Sequence, residues 1–179
     1  YREYPDLPVE QLFAGNEGNV AFSIGEFDEH LYHVVPLGTF PIELLVNEKH
    51  PLAQKESVTI KDLQGEPMFI ESSQFHIYHL IMEKCAESGF EPDIIFQTSG
   101  FSLCHKMVKE NKGISVVVDF VYDDMREEGM KLIPFSDGIY EWKACMLTRR
   151  DEEENEGVQC FRKHVQEWLQ KIRSGEITR

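Results

Sequence analysis

Short apolar runs between residues 43 and 145 alternate with segments in which apolar residues recur every three or four positions. The apolar runs are ELLV, PMFI, DIIF, ISVVV and MKLIPF. The most regular helical spacing lies between the second and third runs, at Ile77, Leu80 and Ile81. Strands that alternate with helical patterns of this length are typical of a mainly parallel sheet. The pattern therefore predicts an α/β lobe over residues 43–145.

Residues that start and stop helices mark the ends of the longest helix in this lobe. Ser72 or Ser73 follows the PMFIE run directly and is predicted to cap a helix that continues to about Ser88. Gly89 is predicted to end it, because glycine adopts the left-handed conformation that commonly follows a helix.

The stretch TSGFSLCHKMVKENKGISVVVDF, residues 98–120, predicts a β-α-β unit. An apolar strand leaves through Thr-Ser-Gly, a helix of about three turns follows, and the chain returns through Lys-Gly into a buried strand. Leu103, Met107 and Val108 are predicted on the buried face of the helix, with Gly113 as its exit. Such a unit directs a helix N-terminus at the carboxyl edge of the sheet, where open α/β folds bind small molecules.

The remaining residues predict a first lobe that is built from both ends of the chain. IYEWKACMLTRR reads as a long alternating strand, and GVQCFRKHVQEWLQKIRSG reads as an amphipathic helix. The apolar face of that helix is predicted to hold Val158, Phe161, Val165, Trp168, Leu169 and Ile172. Its partner is the sheet around NVAFSIG and HLYHVVPLG. We therefore predict residues 1–42 and 146–179 as the first lobe, residues 43–145 as the second lobe, and a hinged cleft between them.

Charge and composition narrow the classes of function. Eighteen Lys and Arg against 32 Asp and Glu give a formal charge of -14, which disfavours direct binding of these residues to nucleic acid. We expect no membrane partner and no targeting signal, because no apolar run approaches the length of a bilayer span. Cys85, Cys104, Cys145 and Cys160 form no C-x-x-C pair, which favours free thiols over a disulfide or a redox sensor.

Two polar turns at helix starts are the candidate ligand site. Backbone amides and hydroxyl groups at a helix start suit a carboxylate or another polar acceptor, and each turn also carries a Phe. Plain helix capping is the favoured explanation of either turn alone, whereas two such turns at one edge of the sheet favour a ligand site. The candidate residues are Ser72, Ser73, Gln74, Phe75, Thr98, Ser99, Gly100 and Phe101.

Metal binding and catalysis find little support. His76, His79 and Glu83 share one face of a predicted helix, but no further ligand with recognisable spacing accompanies them. Cys104 and His105 are adjacent in sequence, so on a helix they point about 100° apart and cannot form a nucleophile–base pair. No nucleophile-elbow, phosphate-loop or dinucleotide motif occurs. We expect no metal, no cofactor and no enzymatic activity.

Four stretches resemble the effector-binding domain of LysR-type transcriptional regulators, whose fold is that of type 2 periplasmic binding proteins. They are YREYPD, GNVAFSIG, HLYHVVPLGTFPIELLVNEKHPLAQKESVTIKDLQGEPMFI and NKGISVVVDFV. The third is the most specific, because a crossover strand, an HPLA stop, a D-L helix and a buried strand occur in the family's order. Ala21 departs from the Asp that the family usually has there, and the family's first strand is missing ahead of YREYPD.

The resemblance implies two Rossmann-like lobes joined by two crossover strands around a cleft. It adds Val118, Asp119 and Phe120 and also Ser23, Ile24 and Gly25 to the residues expected at that cleft. The implied function is to sense a small effector, expected to carry a carboxylate, within a cytoplasmic homodimer or tetramer. DNA would be bound only by a domain that this chain does not contain. A solute-binding protein of a transporter, or an enzyme on the same fold, stays an alternative.

Overall fold

The computed structural model describes residues 6, 8–13, 18–125, 128–150 and 155–176, which fold as two compact units. Unit 1 comprises Tyr1–Asp6 and Phe40–Trp142, and unit 2 comprises Leu7–Thr39 and Lys143–Arg179. Strand β2 (Tyr32–Asn47) and strand β7 (Glu141–Arg149) each contain one of the points at which the chain passes between the units.

The sheet of unit 1 is mixed. Its strands are the second part of β2, then β3 (Pro67–Glu71), β4 (Asp93–Thr98), β5 (Ile114–Val118) and β6 (Met130–Ile133). β3 lies between β4 and β5 and is parallel to both, as β-α-β connections require. β2 is antiparallel to β5 and to β6. The expected mainly parallel sheet is therefore limited to three strands, because no crossover helix connects β2 to its neighbours.

Three helices pack on this sheet: α2 (His76–Glu87), α3 (Phe101–Lys109) and α4 (Asp119–Asp124). Two 3₁₀ turns, Pro51–Gln54 and Ile60–Leu63, precede β3. The predicted cap of α2 is wrong, because the helix begins at His76 and neither Ser72 nor Ser73 is its N-cap. The predicted end of α2 is confirmed, since Gly89 follows it with φ +82°.

Apolar side chains cover both faces of the unit 1 sheet. One face packs against α2 and the 3₁₀ turns, with Leu44, Met68, Ile70, Ile81 and Val116 among its buried side chains. A second cluster holds Leu45, Val108, Val117, Tyr122 and Met130.

The predicted buried face of α3 is wrong in part. Val108 is fully buried, but Leu103 is 40% exposed, and Cys104 and His105 are buried instead. The buried face of the helix is therefore turned by about 100°, the angle between successive residues, from the face that its aliphatic residues alone indicate.

Unit 2 contains α1 (Val9–Leu12), β1 (Val20–Ile24), the first part of β2, most of β7 and α5 (Glu156–Ser174). β1 pairs antiparallel with β7. Asn155 caps α5 by accepting a 3.1 Å hydrogen bond from Val158 N, and Gly175 ends the helix with φ +77°.

Only part of the predicted apolar face of α5 is covered. Val158 and Leu169 are buried, whereas Phe161 and Trp168 are 42% and 46% exposed, so their predicted burial is wrong. Within the described ranges, no helix is both long and apolar enough to cross a bilayer.

Candidate functional site

The candidate site of unit 1 lies at the carboxyl ends of β3, β4 and β5. Glu71 and Thr98, the last residues of β3 and β4, are paired in register. Ser72 N then donates a 2.8 Å hydrogen bond to the carbonyl oxygen of Thr98. The two polar turns that follow these strands are therefore neighbours at one edge of the sheet, as expected for parallel strands of an open α/β fold.

The first turn, Ser72–Phe75, is closed by a 3.0 Å hydrogen bond from Phe75 N to Ser72 O. Ser73 and Gln74 are exposed, and the Ser73 carbonyl lies 2.7 Å from His79 Nε2. Phe75 packs against the unit 1 core. Ser72 Oγ is buried and has no hydrogen-bond partner among the described residues. This hydroxyl group is therefore an unused donor and acceptor within the turn.

The second turn, Thr98–Phe101, leads directly into α3. Gly100 N donates to Thr98 Oγ1 at 3.3 Å, which fixes the start of the turn. No described side chain caps α3, because its N-cap residue is Gly100. Ser99 is exposed, and Phe101 packs beside Val108 in the second core cluster. The amides of the first turn of α3 therefore receive no side-chain cap, and such amides have no partner within a helix.

The exit of β5 provides an aromatic cluster. Val118 is 2% exposed and belongs to the core, whereas Asp119 Oδ1 accepts a 2.7 Å hydrogen bond from Phe120 N. The Phe120 ring meets Phe40 edge-on, with ring centroids 4.9 Å apart, and stacks on Trp142, with centroids 5.6 Å apart. Sequence reasoning missed Phe40 and Trp142. The available signal was their position beside the points where β2 and β7 change units.

Glu71 is a second residue that sequence reasoning missed. Its side chain is only 5% exposed, although it ends β3 directly before the Ser72 turn. Burial, followed by the nearby charge of Asp6, raises the pKa of Glu71 to about 7. Its carboxyl group therefore titrates near neutral pH at the candidate site. The signal in the sequence was one acidic residue at the end of the otherwise apolar PMFI run.

Cys104 lies in the first turn of α3, on the buried face of the helix. Burial is the largest cause that raises the pKa of Cys104 to about 11, and the charge of Glu71 also raises it. The neighbouring His105 places Nδ1 3.0 Å from the Phe101 carbonyl oxygen. Since that oxygen can only accept, Nδ1 carries the proton. A protonated thiol with no base paired to it is a poor nucleophile, so this pair supplies no catalytic chemistry.

Ser23, Ile24 and Gly25 lie in unit 2, at the end of β1. Ser23 and Ile24 pair with Cys145 and Ala144 of β7. Gly25 N then donates a 2.9 Å hydrogen bond to Lys143 O, and Gly25 adopts φ +122°, a conformation that residues with a Cβ rarely adopt. Their assignment to a ligand site stays a prediction.

Metal-binding groups and cysteine pairing are the two remaining site chemistries that the sequence raises. The described part of the chain contains no group of three or more His, Cys, Asp or Glu side chains that could hold a metal ion. The four cysteines are free, with Cys85, Cys104 and Cys145 buried and Cys160 exposed.

Solved structures define the fold. The regulatory domain of MetR, a LysR family regulator from N. meningitidis, aligns with a TM-score of 0.72 and 15% identity over 88% of this chain and 75% of that chain. The effector binding domain of QuiR, solved in complex with shikimate, aligns with a TM-score of 0.75 and 16% identity over 91% of this chain and 77% of that chain. The fold is therefore that of a two-lobed, periplasmic-binding-protein-like effector-binding domain.

Sequence comparison identifies the family. Residues 6–170 match the LysR substrate binding domain, and the chain belongs to that family. It is 25% identical over 142 residues to the uncharacterized HTH-type transcriptional regulator YwbI of Bacillus subtilis, covering 79% of this chain and 47% of that protein. It is 28% identical over 101 residues to the transcriptional regulator OxyR of Escherichia coli, covering 56% and 33%. The chain thus spans less than half the length of these relatives.

Proposed function

We propose that this chain is the effector-sensing domain of a LysR-type transcriptional regulator. A small metabolite binds to it and changes how the full-length protein binds DNA through another domain. The observation that carries the proposal is the Ser72–Thr98 hydrogen bond, which brings two polar turns together at the carboxyl edge of the parallel strands. The family match supports the regulatory role.

The proposed effector carries a carboxylate, and the start of α3 binds it. The first-turn amides there carry a partial positive charge, and Ser99 adds an exposed hydroxyl group. The rings of Phe40, Phe120 and Trp142 supply an apolar wall at the end of β5, which β3 separates from β4 in the sheet. In this proposal Thr98, Ser99, Gly100 and Phe101 form the anion-binding turn, and Phe120 faces the body of the ligand.

Response to the effector requires two arrangements of the regulator with different affinities for it, because a ligand shifts an equilibrium only by that difference. We propose a homodimer or tetramer as the unit that rearranges. Exposed aromatic side chains in unit 2 support an interface between copies. Phe22 is 58% exposed, and its ring meets the exposed ring of Phe161 edge-on, with centroids 6.5 Å apart.

Two other functions, a transport solute-binding protein and an enzyme, are weighed against the proposed sensor domain. A transport solute-binding protein is disfavoured, because the relatives are transcriptional regulators. An enzyme on this fold would consume its ligand. We propose that the domain binds its ligand without converting it, and the binding assay therefore includes a measurement of ligand consumption.

The test is thermal unfolding of the chain against aromatic, amino-acid and dicarboxylic metabolites, with each sample assayed afterwards for remaining ligand. A ligand at one hundred times its dissociation constant stabilises the folded state by about 2.7 kcal/mol, which raises the midpoint by roughly 5 to 10 °C. A specific increase without turnover supports the proposal. Turnover of the stabilising compound would indicate an enzyme instead.

A matched pair of variants locates the site. Ser99→Ala removes a hydroxyl group from the α3 turn, whereas Ser57→Ala removes a hydroxyl group from an exposed residue in the loop before the second 3₁₀ turn. We expect the first variant to lose part of the ligand-induced increase in midpoint and the second to keep it. Equal responses would place the ligand away from α3.

A further inference from the structure

The carboxylate of Asp6 is bound to the start of α2. Asp6 Oδ2 accepts a 2.6 Å hydrogen bond from the backbone N–H of His76, the first residue of the helix. Asp6 N also donates to the carbonyl oxygen of Gln74 at 3.1 Å. One hydrogen bond to the Asp6 carboxylate and one from the Asp6 backbone N–H therefore hold this residue, 70 positions from His76 in the sequence, onto the Ser72–Phe75 turn.

Asp6 supplies what the local sequence of α2 lacks. The N-cap residue, Phe75, provides no side-chain acceptor, and the first turn of the helix contains no acidic residue. A carboxylate at a helix start is stabilised by the free amides and by the helix dipole. A ligand carboxylate would need the same amides, so it and Asp6 compete for one position.

Two further observations place this contact within the candidate site. Asp6 is bonded to the turn that directly follows Glu71, and its charge contributes, after burial, to the raised pKa of Glu71. Ser72 Oγ, buried in the same turn, has no hydrogen-bond partner among the described residues. The turn therefore holds a bound carboxylate and an unused hydroxyl group beside it.

We propose that Asp6 is an intramolecular occupant of the α2 turn that determines which effectors the domain accepts. With Asp6 in place, the start of α2 is closed to an anion while the start of α3 carries no side-chain cap, so of these two turns one accepts a carboxylate and the domain selects effectors with one carboxylate over those with two. Removal of the Asp6 carboxylate opens the α2 turn to a second anion. The selectivity for effectors rests on the function proposed above, whereas the exclusion of anions from α2 does not.

The experiment uses acetate as the probe, because acetate reproduces the Asp6 side chain beyond Cα. The backbone amide resonance of His76 is followed by NMR during acetate titrations of the native chain, Asp6→Ala and Asp93→Ala. The Asp93 variant is the matched control, since it removes the same charge from an exposed position at the opposite end of β4. We expect a saturable shift in Asp6→Ala, with an apparent affinity at least tenfold higher than in the other two proteins.

A second variant keeps the test decisive if Asp6→Ala fails to fold. Asp6→Asn retains an acceptor for His76 N but loses the charge, so acetate displaces it more easily and the expected affinity lies between those of the native chain and Asp6→Ala. If neither folded variant binds acetate more tightly than the native chain, Asp6 is a structural cap only and the proposal is overturned. The two tests can also disagree. If acetate shifts the His76 amide of Asp6→Ala saturably but no compound of the thermal panel stabilises the chain, the result counts against the proposed function and not against the exclusion of anions by Asp6.

Discussion

Ser72 and Thr98 are joined by a 2.8 Å hydrogen bond between the backbone N–H of the first and the carbonyl oxygen of the second. The bond extends the pairing of β3 with β4 by one residue beyond Glu71 and Thr98. Consequently, the turn before α2 and the turn before α3 are held at a fixed spacing by the sheet itself. A change in one turn is expected to alter the other through this bond.

Thr98→Val tests the second turn with a nearly isosteric side chain. The substitution removes the acceptor for Gly100 N and leaves that amide without its present partner. We expect a loss of about 0.5 to 1.5 kcal/mol in the free energy of unfolding and weaker binding of a carboxylate effector. Urea unfolding and calorimetric titration measure the two effects. Thr39→Val, at an exposed position of β2, is the control, and equal losses in both variants would contradict the role of the turn.

Gly113→Ala tests the close approach of the α3–β5 connection to β3. A Cβ at residue 113 would lie 2.1 Å from the Pro67 carbonyl oxygen and 3.0 Å from the Phe69 ring, so the backbone would have to move. We expect a loss of about 1 to 3 kcal/mol or more in the free energy of unfolding, measured by urea titration. Gly100→Ala is the matched control, because a Cβ there meets nothing within 4 Å. A smaller loss at residue 113 than at residue 100 would show that the connection is loosely packed.

The reactivity of the thiols follows their burial. Burial raises the pKa of Cys85 and of Cys104 to about 11, so both are almost entirely protonated at neutral pH. Cys145 is buried as well, whereas Cys160 is exposed on α5. We expect a thiol reagent at pH 7.5 to modify one cysteine rapidly in the folded chain and all four after denaturation. The Cys160→Ser variant should lose the rapid phase. A rapid phase that persists in this variant would show that the buried thiols are open to solvent.

The elements of unit 1 could be predicted from sequence because each strand is a compact apolar run that a glycine or a polar turn ends. The orientation of α3 could not. Leu103 and Met107 suggested one buried face, but Cys104 and His105 were buried instead. Cysteine is readily buried, and the Phe101 carbonyl oxygen accepts a hydrogen bond from Nδ1 of the buried His105, although His105 Nε2 has no partner among the described residues. Counting aliphatic residues on a helix of nine residues does not detect either case.

The candidate site could likewise be predicted only in part from the sequence. The two polar turns could be predicted, because parallel strands end at one edge. The contact of Asp6 with His76 could not, because a hydrogen bond between residues 70 positions apart leaves no periodic pattern. The direction of β2 relative to its neighbours could not be predicted either, because an alternating strand has the same sequence pattern in a parallel and in an antiparallel pair.

Glu71 is expected to make the stability of the domain depend on pH. Its pKa rises from the ordinary value of about 4.5 to about 7 in the folded chain, chiefly because the carboxylate is buried. The folded state therefore holds a proton that the unfolded state releases between these two values. Stability contributed by this group is present below about pH 4.5 and declines as the pH rises to about 7. At about 1.4 kcal/mol per unit of pKa, the decline amounts to at most about 3 kcal/mol.

Glu71→Gln isolates this contribution, because the amide fits the same space and does not titrate. We expect the native chain and the variant to have similar free energies of unfolding near pH 4.5, and the variant to be more stable by up to about 3 kcal/mol at pH 8. Urea titrations at pH 5, 6, 7 and 8 give the difference between the two proteins, in which the titration of all other groups cancels. Glu110→Gln, at an exposed position after α3, should give no such trend. If the native chain and Glu71→Gln instead keep a constant difference across this range, the Glu71 carboxyl group does not titrate between pH 5 and 8.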